Sequence, residues 1–124
     1  SASDFEMVCD HKGVPLFERV IRRSRHWGSP VNMMYVVGAT QADHIDAVRK
    51  EAPRHFLLVP GVGAQGGSLE EVCRRGLIDE CGLLVNSSRG IIYASSGDDF
   101  AEKAAQAARE VAGQMKSLMD EILP

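Results

Sequence analysis

The sequence predicts an α/β fold of about three parallel strands and four helices, because short apolar runs alternate with amphipathic stretches at intervals of about 25 residues. The runs are continuously apolar rather than alternating, which is the pattern of strands covered on both faces. Each of them exits into a glycine- or serine-rich turn.

Residues 1–14 have no sustained period and carry polar residues and Gly13, so they read as a loop or the truncated end of an element. From Pro15 to about Trp27, the residues Leu16, Val20, Ser24 and Trp27 share one face and arginines populate the rest, which predicts a helix stopped by Gly28 and Pro30. Met33 to Val37 is a strand closed by Gly38, and Thr40 with Asp43 caps a helix running to about Glu51, ahead of Pro53. Phe56 to Val59 is the second strand. It opens into a glycine-rich loop, Pro60 to Gly67, after which Ser68 and Glu71 form a capping box for a helix ending near Gly76. Gly82 to Val85 is the third strand, followed by Asn86 to Gly90 and a short apolar piece, Ile91 to Ala94. Beyond Gly97, the residues Phe100, Ala104, Ala107, Val111, Met115, Leu118 and Ile122 keep helical spacing almost to the C-terminus.

Composition narrows the function. The chain has 124 residues, 44% hydrophobic and 25% charged, which suits one globular domain or part of one. A net charge of −3 with 6% aromatic residues supplies neither the basic footprint nor the stacking rings of a nucleic-acid binder. No apolar run approaches the roughly 20 residues of a membrane span, no secretory signal precedes the first element, and a cytosolic location is expected. Cys9, Cys73 and Cys81 lack CxxC spacing and are expected to be reduced and mostly buried, while the four histidines lack the i, i+4 spacing of a metal pair, so no metal site is expected.

In parallel α/β folds ligands gather where strands end, since loops and helix N-termini converge there. The three exits are Gly38 to Gln41, Pro60 to Gly67, and Asn86 to Gly90, and Arg89 is their single charged residue. No titratable acid or base sits among them beside a nucleophile, as acid/base or covalent catalysis requires. Glycines, backbone amides before a capped helix, a side-chain amide and one guanidinium instead suit an anion such as a phosphate monoester. A tight turn accounts for two of the glycines, and four between Gly61 and Gly67 favour a ligand. Gly61, Gly63 and Gly66 also spell GxGxxG, but the next strand ends in Asn86 rather than an acid, which argues against a dinucleotide. Ser87, Ser88, Ser95 and Ser96 have no GxSxG elbow and serve better as caps or phosphate contacts.

The strings Val59-Pro60-Gly61-Val62-Gly63-Ala64-Gln65-Gly66-Gly67 and Asn86-Ser87-Ser88-Arg89-Gly90-Ile91-Ile92-Tyr93-Ala94-Ser95 resemble the orotidine 5′-phosphate decarboxylase family, in its longer bacterial-type branch. The resemblance extends to Pro15-Leu16-Phe17-Glu18, Val36 to Thr40, and Asp99 to Glu102, so it spans nearly the whole chain. It implies that residues 1–124 form the C-terminal half of a single (β/α)8 barrel, usually a homodimer, that converts orotidine monophosphate to uridine monophosphate with no cofactor. It further implies that Gln65 spans phosphate and pyrimidine, Arg89 clamps the phosphate, Pro60 walls the base, and Gly66 and Ser88 offer backbone contacts.

The family's catalytic motif, DxKxxD, does not occur in this sequence. Asp10-His11-Lys12 is a lookalike in an irregular segment and receives no catalytic role. The serine the family uses against the pyrimidine also has no counterpart here, so the expectation is the gripping half of the enzyme, incomplete without the N-terminal half. Two alternatives stand beside it: a non-catalytic phosphate- or nucleotide-binding module, and another phosphate-binding β/α barrel. Three parallel strands cannot close a barrel, so the exposed sheet is expected to seek a second copy or a partner chain.

Overall fold

The apolar runs build a parallel sheet of order β1-β2-β3 in the computed structural model, which describes residues 3–63 and 66–124. The strands are Tyr35–Val36 (β1), Leu57–Pro60 (β2) and Leu83–Asn86 (β3). Tyr35 pairs with Leu57 and Leu57 with Leu83, and the β2–β3 ladder continues to Pro60 opposite Asn86. Proline survives in this central strand for a geometric reason. Leu57 and Gly61 donate toward β3, so residue 60 faces β1, which has already ended, and its absent N–H breaks no ladder bond.

The helices are Ser3–Glu6 (α1), Leu16–Ser24 (α2), Ala42–Glu51 (α3), Leu69–Gly76 (α4), Ser88–Ile92 (α5) and Phe100–Ile122 (α6). Four were expected, and α1 and α5 are additions. At one turn each they are too short for an apolar period to register in the sequence. The Ser68 hydroxyl caps α4 by accepting the Glu71 amide at 3.2 Å, as its spacing predicts. Thr40 does not cap α3. It lies inside a 3-10 turn, Ala39–Gln41, and the α-helix begins after it without a side-chain cap. Among the described residues no helix is long and apolar enough to cross a membrane.

One face of the sheet is covered and the other is open. Leu57, Val59 and Leu83 pack with Ile45 and Val48 of α3 and Val72 and Cys73 of α4 in the core, flanked by Val111, Met115, Leu118 and Ile122 of α6. The alternate residues point the other way, and Val36 and Leu84 are 66% and 49% exposed. This corrects the expectation of coverage on both faces, because every helix that packs on the core lies on one side. Trp27, expected on the buried face of its helix, is 68% exposed, since α2 ends at Ser24 and a tighter turn carries Trp27 away. Of the thiols only Cys73 is buried, while Cys9 is exposed and Cys81 is intermediate.

Charged groups fasten the end of the sheet where strands enter. Arg49 donates from Nε to the Gly76 carbonyl at 2.8 Å, and from its terminal nitrogens to His55 and Gly82 carbonyls at 2.6 and 2.9 Å. One guanidinium thus joins the end of α4 to the entries of β2 and β3. Arg22 forks onto the buried Glu51 carboxylate and docks α2 on α3, which lowers the Glu51 pKa below its ordinary 4.5.

His55 is 5% exposed, and among the described residues neither ring nitrogen has a hydrogen-bond partner. Burial first, then Arg25 and Arg49, push its pKa below the ordinary 6.5. The unfolded chain therefore binds a proton at pH values where the folded imidazole stays neutral, and stability falls as pH drops below 6.5. The Glu51 contribution is lost only at lower pH, below 4.5, as that carboxylate is protonated. The urea unfolding free energy should decline from pH 7 to about pH 5.5, and His55→Phe should flatten that slope. An unaltered slope in the variant would exonerate His55.

Candidate functional site

The β2–β3 register determines where the two motif loops go. Pro60 pairs with Asn86, so both chains leave the sheet at the same height, and residues 60–62 and 86–90 line one small recess. Two bonds cross between the exits: the Gly61 amide donates to the Asn86 carbonyl at 3.2 Å, and the Ser87 hydroxyl donates to the Val62 carbonyl at 3.0 Å.

The glycine loop closes on itself through Gly63 N–H to Gly67 O at 3.0 Å, Gly66 N–H to Gly63 O at 2.7 Å and Gly67 N–H to Gly61 O at 3.3 Å. Gly61, Gly63 and Gly66 have φ of 90°, 80° and 87°, where a side chain is strained. At Gly67 a Cβ would strike Ala39 and come within 2.8 Å of the Gly61 carbonyl. Each of the four glycines thus has a local reason, three through positive φ and Gly67 through its close approach to Ala39 and Gly61.

The groups in the recess that suit an anion come from β3's exit. Helix α5 begins at Ser88, and its first N–H groups have no intrahelical acceptor. Among the described residues the Ser87, Ser88 and Arg89 amides donate to no backbone carbonyl. Arg89 is exposed and has no hydrogen bond or ion pair among those residues, whereas Arg19, Arg22, Arg54, Arg74 and Arg75 all face carboxylates. A guanidinium without a carboxylate beside unclaimed amides can take a phosphate's oxygens directly.

Pro60, Ser88 and Arg89 therefore share one recess. Gly66 lies in a neighbouring one with residues 39–44, Ser68 and Glu71, and its amide is already used inside the loop. Gln65 falls outside the described residues. Asp10, His11 and Lys12 line a different recess with Arg19, Arg22, Arg23 and His26. The Asp10 carboxyl is held below its ordinary pKa by the Val14 amide first and then by Lys12 N–H and Arg19. That engagement ties down a turn, and its recess shares no lining residue with the one that holds Arg89. Sequence reasoning missed Asn86 and Ser87 as cross-links, since a strand-end serine looks the same in sequence whether it bonds outward, to itself or across the sheet.

No family model matches the chain. It is 55% identical over 116 residues to an orotidine 5′-phosphate decarboxylase of Phocaeicola vulgatus, covering 94% of this chain and 43% of that protein. A protein of the same name from Flavobacterium johnsoniae is 51% identical over 119 residues, covering 96% and 43%. The chain is homologous to part of orotidine 5′-phosphate decarboxylase. The structure of Leishmania donovani UMP synthase matches it with a TM-score of 0.72 and 34% identity, over 90% of this chain and 24% of that one. The Leishmania donovani OMP decarboxylase matches with a TM-score of 0.71 and 31% identity, over 93% and 44%. The three parallel strands and their helices correspond to part of the orotidine 5′-phosphate decarboxylase barrel, and the chain spans less than half the length of these relatives.

The glycine loop supports a direct test of the site's scaffold. Gly67→Ala forces a methyl against backbone at Gly61 and Ala39, and overpacking of this kind costs about 1–3 kcal/mol. Urea denaturation should show a loss of that size, and a variant as stable as the parent would mean the loop yields without strain.

Proposed function

We propose that this chain is the phosphate- and nucleotide-gripping part of an orotidine 5′-phosphate decarboxylase, the enzyme that converts orotidine monophosphate to uridine monophosphate and CO2. The observation that carries the reading is the convergence of both motif loops and the unpaired Arg89 on one recess, in a chain 55% identical to a protein of that name. Arg89 clamps the phosphate, the amide N–H groups opening α5 at Ser88 donate to its remaining oxygens, and Pro60 walls the base. From the family resemblance, Gln65 reaches between phosphate and pyrimidine, and Gly66 belongs to the turn behind it.

The division between gripping and reacting has a physical rationale. Binding energy from a remote phosphate can organise a reacting centre without taking part in bond breaking. Among the described residues the recess is lined by no carboxyl, imidazole or ammonium group that could supply a proton. The proton that replaces CO2 must come from elsewhere, in keeping with a DxKxxD motif carried by the rest of the barrel.

That remainder also accounts for the open face. It would pair with the free edge of β1 and cover Met34, Val36 and Leu84, which are 42%, 66% and 49% exposed. The whole works in this reading as one barrel domain, in a cytosolic homodimer, without a cofactor.

In the full-length protein Arg89→Ala should reduce kcat/KM for orotidine monophosphate about 10- to 150-fold, the equivalent of one charge-assisted phosphate contact, while the thermal midpoint barely moves. Unchanged kinetics would remove Arg89 from the site. The 124-residue chain alone should show no decarboxylation in a CO2-release assay, and turnover by it would sink the proposed division of labour.

A further inference from the structure

We propose that Ser87 is a positioning residue that locks the two phosphate-facing turns together, an inference that rests on the phosphate-binding reading above. Ser87 is 7% exposed, and its hydroxyl donates to the Val62 carbonyl, 25 residues away in the chain, at 3.0 Å. Buried serines commonly satisfy themselves locally, as Ser24 does by donating to the Ile21 carbonyl at 2.9 Å. Ser87 reaches across to the other loop instead.

The bond falls where backbone pairing runs out. The last rung between the exits is Gly61 N–H to Asn86 O at 3.2 Å. The Gly61 carbonyl, which a further rung would use, is occupied by the Gly67 amide at 3.3 Å. A side chain therefore supplies the next cross-link, and among the described residues the backbone amides of Ser87, Ser88 and Arg89 donate to no carbonyl.

The same bond fixes the glycine loop. Val62 is 5% exposed, so its carbonyl has little access to water if the hydroxyl is removed. Gly63 follows directly with φ of 80°, and the position of its absent Cβ lies 3.8 Å from the Ser87 hydroxyl. The serine thus sits beneath the loop. Removing its hydroxyl frees Val62 and Gly63 to separate from the Ser88–Arg89 turn, and a phosphate held from both sides loses its fixed distance between them.

The test measures calorimetric affinities of the full-length protein for uridine 5′-monophosphate and for uridine, in the parent, Ser87→Ala and Ser87→Thr. Ser87→Ala should weaken the monophosphate about tenfold, the upper range for one net hydrogen bond, and leave uridine unchanged, while Ser87→Thr restores most of the loss by keeping the hydroxyl. If Ser87→Ala does not fold, Ser87→Cys, similar in size but a weaker donor, should show a smaller loss in the same direction. Equal weakening of both ligands, or no weakening of either, overturns the positioning role while the phosphate site stands. A parent protein that binds the monophosphate no better than uridine overturns the phosphate site and this inference together.

Discussion

Everything at the candidate site depends on the parallel register of β2 with β3. Pairing from Leu57 opposite Leu83 to Pro60 opposite Asn86 sends both strands out of the sheet at one level. A slip of one residue would turn every side chain to the other face and separate the loops. The register is supported at both ends. Arg49 gathers the carbonyls of Gly76, His55 and Gly82 below the sheet, and Ser87 ties to Val62 above it.

Most charged residues in this chain serve the scaffold. Arg22 with Glu51, Arg54 with Glu80, and Arg75 with Asp43 and Asp46 fasten helix to helix or loop to loop. The exposed pairs of Arg54 and Arg75 contribute little to stability, whereas Arg49, half-buried and bonded to backbone carbonyls, would leave unsatisfied acceptors if removed. Like Arg23 and Arg109, Arg89 has no side-chain hydrogen bond or ion pair among the described residues. Its location beside unclaimed amides, more than its charge, is what makes it a candidate for an anion.

The open sheet face sets a limit on what the chain does by itself. Alternation places Val36, Leu58 and Leu84 on one side of the sheet and Tyr35, Leu57 and Leu83 on the other, and the helices cover only the second side. Apolar residues left in water at a sheet edge favour association. In the proposed enzyme that association is also functional, since the covering segment brings the groups that react with what this part holds.

The alternation of strands and helices, the Ser68 cap and the long apolar stripe of α6 were legible in the sequence because each depends on neighbours within a turn or two. The grouping of Pro60, Ser88 and Arg89 around one recess was legible as well, since all three lie at the exits of neighbouring strands. Tertiary structure alone decided the rest. The capping role expected of Thr40 yielded to a 3-10 turn, the glycine turn closed through its own backbone bonds, and the Ser87 link joined residues 25 apart. Local propensity is written within a few residues, but which face is covered and which hydroxyl finds which carbonyl depends on contacts made only after distant segments pack.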